Sequence, residues 1–349
     1  MTRWDRQGAP TETMPTRLDT YRPTDSNTAW RRSTKRRDQL RLLALCWLCL
    51  LLAPCCHDEA GASSKASGPG YRVVTTCGMV TDLVTRITGD RGEVTPMMGN
   101  DVDPHTYNPT RNDIASLEAA DVIFYSGLNL EAQLADALVR MAGSGKRVAP
   151  LTQGIAQDVL LEPEEFEGHF DPHVWNDASL WADTIDTIRA TLTAQDPAGQ
   201  DDYAERAAAL EEEIRAVHDY AMECIATIPA DCRVLVTAHD AFNYFGRAYG
   251  IEVLGVQGIA TEHEAGLSEI NRLVRMLVDR KIAAIFVEQA LDESYVRAVV
   301  EGASAKGHDV RIGGKLYSDA MGEDGTYRAT FVGMVDHTAT LITRALGGQ

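Results

Sequence analysis

Hydrophobic residues alternate between two spacings along most of the chain, from residue 71 to the C-terminus. Short runs rich in β-branched and aromatic residues, such as Tyr71–Cys77 and Val122–Tyr125, are typical of buried strands. Between such runs, apolar residues recur at helical spacing, as in Met79–Gly89, where the pattern stops at a glycine. Strands that alternate with helices predict βαβ units around parallel sheets, so the expected fold class is α/β.

The same alternation predicts the remaining elements. Further strands are expected at Glu93–Met98, Arg147–Pro150, Arg233–Thr237, Glu252–Gly255, Ala283–Val287 and Val310–Ile312. Further helices are expected at Asn112–Ala120, Leu130–Met141, Asp177–Ala194, Ala241–Tyr249, Ser268–Arg280, Ser294–Ala305 and Gly333–Leu346.

One more predicted helix, Gly199–Ala226, is much longer than the others. At 1.5 Å per residue it spans about 40 Å, which exceeds the width of one small domain. It would serve either as a rigid backbone helix that joins two (β/α) lobes with parallel sheets, or as a long surface helix of one domain. We expect the first arrangement, with an N-terminal lobe at 71–195, the linking helix at 196–229 and a C-terminal lobe at 230–349.

The first 56 residues have the pattern of an export signal. Basic residues at 31–41 precede an apolar run from Leu42 to Ala53, which is shorter than the roughly 20 residues of a membrane-spanning helix. The run ends before Cys55 and Cys56, and a small-residue stretch before a cysteine resembles a bacterial lipoprotein cleavage box. We expect a signal at 1–56, lipid on Cys55 or Cys56, a flexible tether at 57–70, and a membrane-anchored periplasmic or extracytoplasmic protein. A plain signal peptide cleaved nearby is the alternative.

The charge balance excludes one class of partner. The 349 residues carry a net charge of −18, but residues 1–41 hold ten Lys/Arg and five Asp/Glu, so the rest of the chain carries −23. Nucleic-acid binding requires clustered Lys and Arg that neutralise phosphates, so no nucleic-acid partner is expected.

The expected oligomeric state is a monomer.

Four of the seven cysteines lie in or beside the predicted signal. Of the other three, Cys77 follows a buried strand and is expected to fill the core. Cys224 and Cys232 are close in sequence, and in an exported protein they would either form a disulfide or remain two separate thiols.

Histidines and a carboxylate occur near the ends of several predicted strands. Two copies of Asp-Pro-His end at His105 and His173, His239 follows the run Val234–Ala238, and Asp319 follows a polar turn. In α/β folds, ligands bind outside the carboxyl ends of the strands. Converging there, three imidazoles and one carboxylate would form a complete ligand set for a divalent metal. A single loop histidine is more often an ordinary surface residue, so the prediction depends on all four positions.

Four further carboxylates accompany these residues. Asp103 and Asp171 precede their histidines by two residues, and we expect them to hold the turn or orient the ring rather than to bind metal. Asp240 directly follows His239 and has the same expected role. Glu288 ends another apolar run and faces the same crevice, either as a further ligand or, preferably, as a hydrogen-bonding anchor.

Seven stretches, which follow one another between about residues 72 and 345, resemble a known family. They are VVTTCGMVTDLV, DVDPHTYNPTRNDI, ADVIFYSGLNLE, DPHVWND, TAHDAFNYFGRAYGI, GVQGIATEHEAG and GGKLYSDAMG. The family is that of the TroA-like solute-binding proteins, the cluster A-I receptors of bacterial zinc/manganese ABC importers. The resemblance implies two lobes on a rigid helix, and metal bound between them by His105, His173, His239 and Asp319. It also implies delivery of the ion to a membrane permease, without catalysis.

Neither the metal nor the function is decided by the resemblance alone. Three imidazoles and a carboxylate suit Zn²⁺, whereas Mn²⁺ prefers more oxygen ligands, which a bidentate Asp319 would help to supply. Manganese-specific relatives usually carry Glu where this chain has His239, yet both ions stay open as the transported ligand. A zinc hydrolase is an alternative without a His-Glu-x-x-His motif to support it, and an adhesin-type lipoprotein is another. Because imidazole must be neutral to bind metal, binding should weaken below about pH 6.

Overall fold

The structure, a computed structural model, describes residues 70–163, 168–259, 261 and 266–349. The predicted signal, the cysteine expected to carry lipid and all but the last residue of the predicted tether lie outside these ranges. Among the helices that the structure describes, none combines the length and the hydropathy needed to cross a bilayer.

The N-terminal half contains one four-stranded parallel sheet with the strand order β2-β1-β3-β4. Its strands are β1 Arg72–Thr75, β2 Glu93–Pro96, β3 Val122–Tyr125 and β4 Arg147–Pro150. Its first helices are α1 Gly78–Thr88, α2 Arg111–Ala119 and α3 Ala135–Gly143. The predicted alternation is confirmed, except that the first turn of the helix expected from Leu130 is a separate 3₁₀ turn before α3.

Local sequence explains how these helices begin and end. Helix α1 buries Leu83 and Val84 and ends at Gly89, whose φ of 57° favours a residue without a side chain. Helix α2 begins with a capping box in which Thr110 and Asp113 each accept a backbone N–H of the other. This capped start fixes the loop before α2, and that loop contains the first Asp-Pro-His.

Three helices form the middle of the chain, α4 Ala178–Ala182, α5 Ile185–Gln195 and α6 Gln200–Ala226. The prediction of one continuous helix over 177–194 is therefore wrong, because the structure has two helices, α4 and α5, separated by a break. At the break the buried Thr184 donates its hydroxyl hydrogen to the Trp181 carbonyl at 2.7 Å, which gives the backbone an alternative to continuous helix.

Helix α6 is the long helix that the sequence predicts. It buries a residue every third or fourth position from Tyr203 to Ile225, which makes one continuous apolar face. Helices α1, α4 and α5 pack on it, and so do α7 and α10 from the C-terminal half. The same helix thus supports both halves, while the exact lobe boundaries at 195 and 230 stay predictions.

The C-terminal half repeats the α/β pattern with two strand pairs, β5 with β6 and β7 with β8, all parallel. The strands are β5 Val234–His239, β6 Glu252–Gln257, β7 Ala284–Glu288 and β8 Arg311–Leu316. The helices are α7 Asn243–Tyr249, α8 Leu267–Arg280, α9 Ser294–Ser304 and α10 Phe331–Ala345. Strand β5 lies beside β7, so His239 and Glu288 are neighbours at their carboxyl ends.

The three cysteines that the structure describes are free thiols. Cys77 is 1% exposed in the core, as predicted. The disulfide alternative for the other two is wrong. Cys224 lies in the last turn of α6 with its thiol against Tyr220, whereas Cys232 is exposed in the following turn.

Candidate metal site

The four predicted ligand residues lie together in the structure. The ligand atoms of His105, His173, His239 and Asp319 all lie within 4.8 Å of one another. The four residues are buried, with exposures between 0% and 3%. They come from four separate segments: the loop after β2, the loop before α4, the last residue of β5 and the loop after β8. The convergence expected from the strand ends is therefore present.

The distances between the ligand atoms are those of a set that surrounds one ion. The Nε2 atoms of His105 and His173 are 3.1 Å apart. One oxygen of Asp319 lies 3.3 Å from Nε2 of His105 and 3.2 Å from Nε2 of His239, and the other lies 3.5 Å from Nε2 of His173. Ligands about 2.0–2.1 Å from a tetrahedral ion are about 3.3 Å from each other.

The chemistry of these atoms also fits a cation. Nε2 of His239 and both carboxylate oxygens of Asp319 are buried, and none of the three makes a hydrogen bond. Such atoms are rare in folded proteins, and each costs about 1–3 kcal/mol or more when it is left without a partner. A divalent cation between the imidazoles and the carboxylate would satisfy all three.

Asp171 orients the ring of His173. One of its carboxylate oxygens lies 2.7 Å from Nδ1 of His173 and also accepts the backbone N–H of that residue at 3.0 Å. The other oxygen accepts a hydrogen bond from the side-chain amide of Asn243 on α7, and Tyr244 donates to the Asp171 carbonyl. With the proton on Nδ1, Nε2 is free to face the cluster.

Glu288 has the same role toward His239. Its carboxylate lies 2.7 Å from Nδ1 of His239 and accepts the backbone N–H of that residue at 2.9 Å. It therefore meets the ring on the side away from Asp319. Of the two predicted alternatives, the hydrogen-bonding anchor describes this position, because the carboxylate is not among the clustered ligand atoms.

The remaining two predicted supports lie further from the rings. Asp103 accepts the backbone N–H of His105 at 2.8 Å and the hydroxyl groups of Thr106 and Thr261. Asp240 is mostly buried, which raises the pKa of its carboxyl, and its side chain bonds Asn243. Hydrogen bonds connect it to Asp171, the partner of the His173 ring, through Asn243.

The charges of the cluster are interdependent. Burial alone would lower the pKa of His173, but the carboxylates of Asp319 and Asp171 outweigh burial and raise it to about 9. Burial likewise opposes charge on His239, yet Glu288 and Asp319 raise its pKa well above the ordinary value. Burial would raise the pKa of Asp319, but the surrounding imidazoles hold it well below its usual range. The raised pKa values of His173 and His239 therefore favour protonated rings beside the carboxylate when no metal is bound.

Two residues near the cluster were not predicted from the sequence. Trp175 contacts the ring of His173 edge-on, with ring centroids 5.3 Å apart, and its indole N–H donates to the carbonyl of Ser318. Asn100 accepts the backbone N–H of Met321. The only sequence signal for Trp175 is its place two residues after His173, because its bonding partner is 143 positions away.

Proteins of a known family are similar to this chain over most of its length. The family model of ZnuA, described as zinc-uptake complex component A, periplasmic, matches residues 73–345. The chain belongs to this family. The manganese-binding lipoprotein MntA of Bacillus subtilis is a relative that is 40% identical to this chain over 305 residues. The matched region covers 87% of this chain and 98% of MntA. The zinc-binding protein TroA of Treponema pallidum is 38% identical over 286 residues, 82% of this chain and 92% of TroA.

Solved structures of similar proteins have the same fold. The periplasmic zinc-binding protein TroA from Treponema pallidum matches with a TM-score of 0.77 and 39% identity, over 79% of this chain and 99% of TroA. The Fe(III)-bound YtgA from Chlamydia trachomatis matches with a TM-score of 0.72 and 26% identity, over 80% and 99% of the two chains. The ZnuA-family chain thus has the α/β architecture of these proteins along nearly their whole length.

Proposed function

We propose that this protein is the extracytoplasmic metal receptor of an ABC importer, which captures Zn²⁺ or Mn²⁺ and delivers it to the membrane permease. The observation that carries the proposal is the buried cluster of three imidazoles and one carboxylate, whose otherwise unsatisfied atoms match a cation. The named relatives, a manganese-binding lipoprotein and a zinc-binding protein, support the same conclusion.

The site supports capture rather than hydrolysis. A catalytic zinc ion typically keeps three protein ligands and an open position for water, which a nearby general base activates. Here four residues surround the central space, and both oxygens of Asp319 face imidazoles. The two nearest further carboxylates, Asp171 and Glu288, are already bonded to imidazole Nδ1 atoms. No carboxylate of this group is left to act as a base, which favours a non-catalytic role.

We propose both Zn²⁺ and Mn²⁺ as transported ions, and we expect Zn²⁺ to bind more tightly. Three imidazole nitrogens suit zinc, and Mn²⁺ is the weakest binder of the divalent first-row series. The two oxygens of Asp319 would bring the number of donor atoms to five, which suits the higher coordination of manganese. The ion that the protein transports also depends on the supply of each metal, because selectivity in cells does not follow affinity alone.

We propose that the receptor is attached to the membrane surface. Lipid on Cys55 or Cys56 would anchor the chain to the membrane, and the tether would give the receptor reach to its permease. We propose that it acts as a monomer, since the four ligand residues come from one chain. A deletion strain that grows poorly only when zinc or manganese is scarce would support a receptor, whereas lost surface adhesion with normal growth would support an adhesin.

Elemental analysis and competition titration of the purified protein without residues 1–56 test the site directly. We expect one Zn²⁺ or Mn²⁺ per chain, and His239→Ala should weaken binding of both ions by at least about 100-fold, since a ligand is lost along with its support. His308→Ala is the matched control, because that histidine bonds the Ile282 carbonyl outside the cluster. Unchanged affinity of His239→Ala for both metals would show that the site assignment is wrong.

A further inference from the structure

We infer that Trp175 and Asn100, two residues of the N-terminal half, position the carboxylate of Asp319 for the metal. The inference rests on the proposed metal capture and adds two residues to its machinery. Asp319 needs such support because its oxygens face only the three imidazoles, at 3.2–3.5 Å, and no hydrogen bond from another described residue holds them. Its orientation toward a metal ion then depends on how the backbone on either side of it is held.

Trp175 holds the backbone on the N-terminal side of Asp319. Its indole N–H donates to the Ser318 carbonyl at 2.8 Å, and the ring is completely buried. The same ring meets the imidazole of His173 edge-on at an interplanar angle of 69°. One side chain therefore contacts a predicted ligand of the N-terminal half and the peptide group next to a predicted ligand of the C-terminal half.

Asn100 holds the backbone on the C-terminal side. Its carbonyl accepts the Met321 N–H at 2.7 Å, and its side-chain amide donates to the carboxylate of Asp324 at 2.8 Å. The packing is close, because a Cβ added to Gly78 would lie 2.5 Å from the Asn100 side-chain oxygen and 2.9 Å from the Met321 sulfur. Glycine at the start of α1 is what lets these groups meet.

The hydrophobic packing agrees with these contacts. Met321 is 1% exposed and belongs to a large core cluster that spans both halves and includes the N-terminal sheet, α1, α7 and α10. A second, smaller cluster, which contains residues of β5, β7 and α8, includes no residue after Val310. By its bonds to Trp175 and Asn100, the short loop around Asp319 is thus attached to the N-terminal half, although it follows β8 in the chain.

Trp175→Phe tests the first contact, because it keeps an aromatic ring beside His173 and removes only the indole N–H and part of the ring. Trp181→Phe is the matched control: Trp181 is also completely buried, lies 6.1 Å from Trp175 between ring centroids, and its indole N–H makes no hydrogen bond. We expect Trp175→Phe to weaken Zn²⁺ binding about tenfold. Trp181→Phe should stay within about twofold, since no hydrogen bond is removed.

The visible absorption of the Co²⁺-loaded protein supplies a readout that a general loss of packing would not change. Co²⁺ bands report the number and geometry of ligand atoms, so a displaced Asp319 should alter their intensity and position in Trp175→Phe but not in Trp181→Phe. Asn100→Ala and Asp324→Ala, at positions closer to the surface, each remove the side-chain bond that fixes Asn100, so the backbone carbonyl of residue 100, which accepts the Met321 N–H, is held less firmly. We expect both to weaken Zn²⁺ binding about threefold and to change the Co²⁺ bands in the same direction.

The outcomes separate this inference from the function on which it rests. If Trp175→Phe matches Trp181→Phe in Zn²⁺ affinity and Co²⁺ spectrum, the inference is overturned while metal capture stands. If Trp175→Phe does not fold, unchanged affinity and spectra in both Asn100→Ala and Asp324→Ala overturn it instead. Wild-type protein that binds none of Zn²⁺, Mn²⁺ and Co²⁺ would overturn the proposed function, and the inference with it.

Discussion

The two Asp-Pro-His turns are identical in sequence but differ in what they do to the histidine. In both, the aspartate accepts the backbone N–H of the histidine, at 2.8 Å for Asp103 and 3.0 Å for Asp171. Only Asp171 also bonds the imidazole Nδ1. Asp103 uses its second oxygen for the hydroxyl groups of Thr106 and Thr261.

The surroundings of each turn explain the difference. The second turn is covered by α7, from which Asn243 and Tyr244 bond Asp171, and this aspartate is completely buried. The first turn is partly open, so Asp103 has hydroxyl partners at its edge instead. A short-range aspartate turn therefore shapes the backbone in both places, but the packing of distant elements decides whether the same carboxylate also aims the ring.

The largest effect that separates the two turns is expected from Asp171→Asn. The amide cannot keep both an acceptor toward His173 and the charge that stabilises its ring, so the imidazole loses its fixed orientation. Removal of such a partner typically costs about 10–100-fold in metal affinity, and we expect a loss in that range for Zn²⁺. Competition titration against a chelator at constant pH measures it.

Thermal unfolding of the metal-free variant is the control for this prediction. Asp171 also receives bonds from α7, so some loss of stability is expected, and affinity should be compared at a temperature where both proteins are folded. A Zn²⁺ affinity within about threefold of wild type would mean that the ring of His173 is held by its packing against Trp175 and not by the carboxylate.

The same contrast between short-range and long-range contacts explains what the sequence predicts. Element types follow from hydrophobic spacing, and the clustering of the four predicted ligand residues follows from strand ends, because parallel strands bring their carboxyl ends to one edge. The support of His173 by Asp171 is local and was predicted. That Glu288 bonds both the backbone and the ring of His239 was not, since it requires β5 and β7 to lie side by side with their ends level.

Interactions between the N-terminal and C-terminal halves could not be predicted from the sequence for a related reason. The bond from Trp175 to Ser318 and that from Met321 to Asn100 depend on how the N-terminal sheet and the C-terminal strand pairs pack, and hydrophobic spacing does not contain that information. The disulfide alternative fails on the same ground. Closeness in sequence does not say that the thiol of Cys224 lies against Tyr220 while Cys232 is exposed.

The pH dependence of metal binding also tests the difference between the two Asp-Pro-His turns. Only a neutral imidazole offers a lone pair to a cation, and a pKa of about 9 means that His173 is protonated at pH 7 before metal binds. The pKa of His239 is also raised well above its ordinary value, so this ring holds a second proton. Metal must displace both protons, so affinity should rise about tenfold per pH unit for each proton displaced between pH 7 and 8, and it should fall as pH decreases. This places the onset of weakening well above the pH of about 6 expected for an ordinary histidine.

Asp171→Asn should flatten this dependence. The charge of Asp171 is one of the causes of the raised pKa of His173, and without it the ring is neutral over more of the range above pH 7. Proton release on Zn²⁺ binding, measured in two buffers of different ionisation enthalpy by calorimetry, checks both variants. Equal proton release in wild type and Asp171→Asn would contradict the assigned cause.

The smallest effect is expected from Asp103→Asn, the matching change in the first turn. The amide oxygen can still accept the His105 N–H, and the ring of His105 loses no bond, because Asp103 does not contact it. What is lost is one charged acceptor for two hydroxyl groups near the surface, so Zn²⁺ affinity should fall by no more than about threefold. Zn²⁺ titration of Asp103→Asn and Asp171→Asn under the same conditions compares the two turns directly. Equal losses in the two would mean that both turns act on the site through the backbone alone, and that the contact between Asp171 and the ring of His173 contributes little to metal binding.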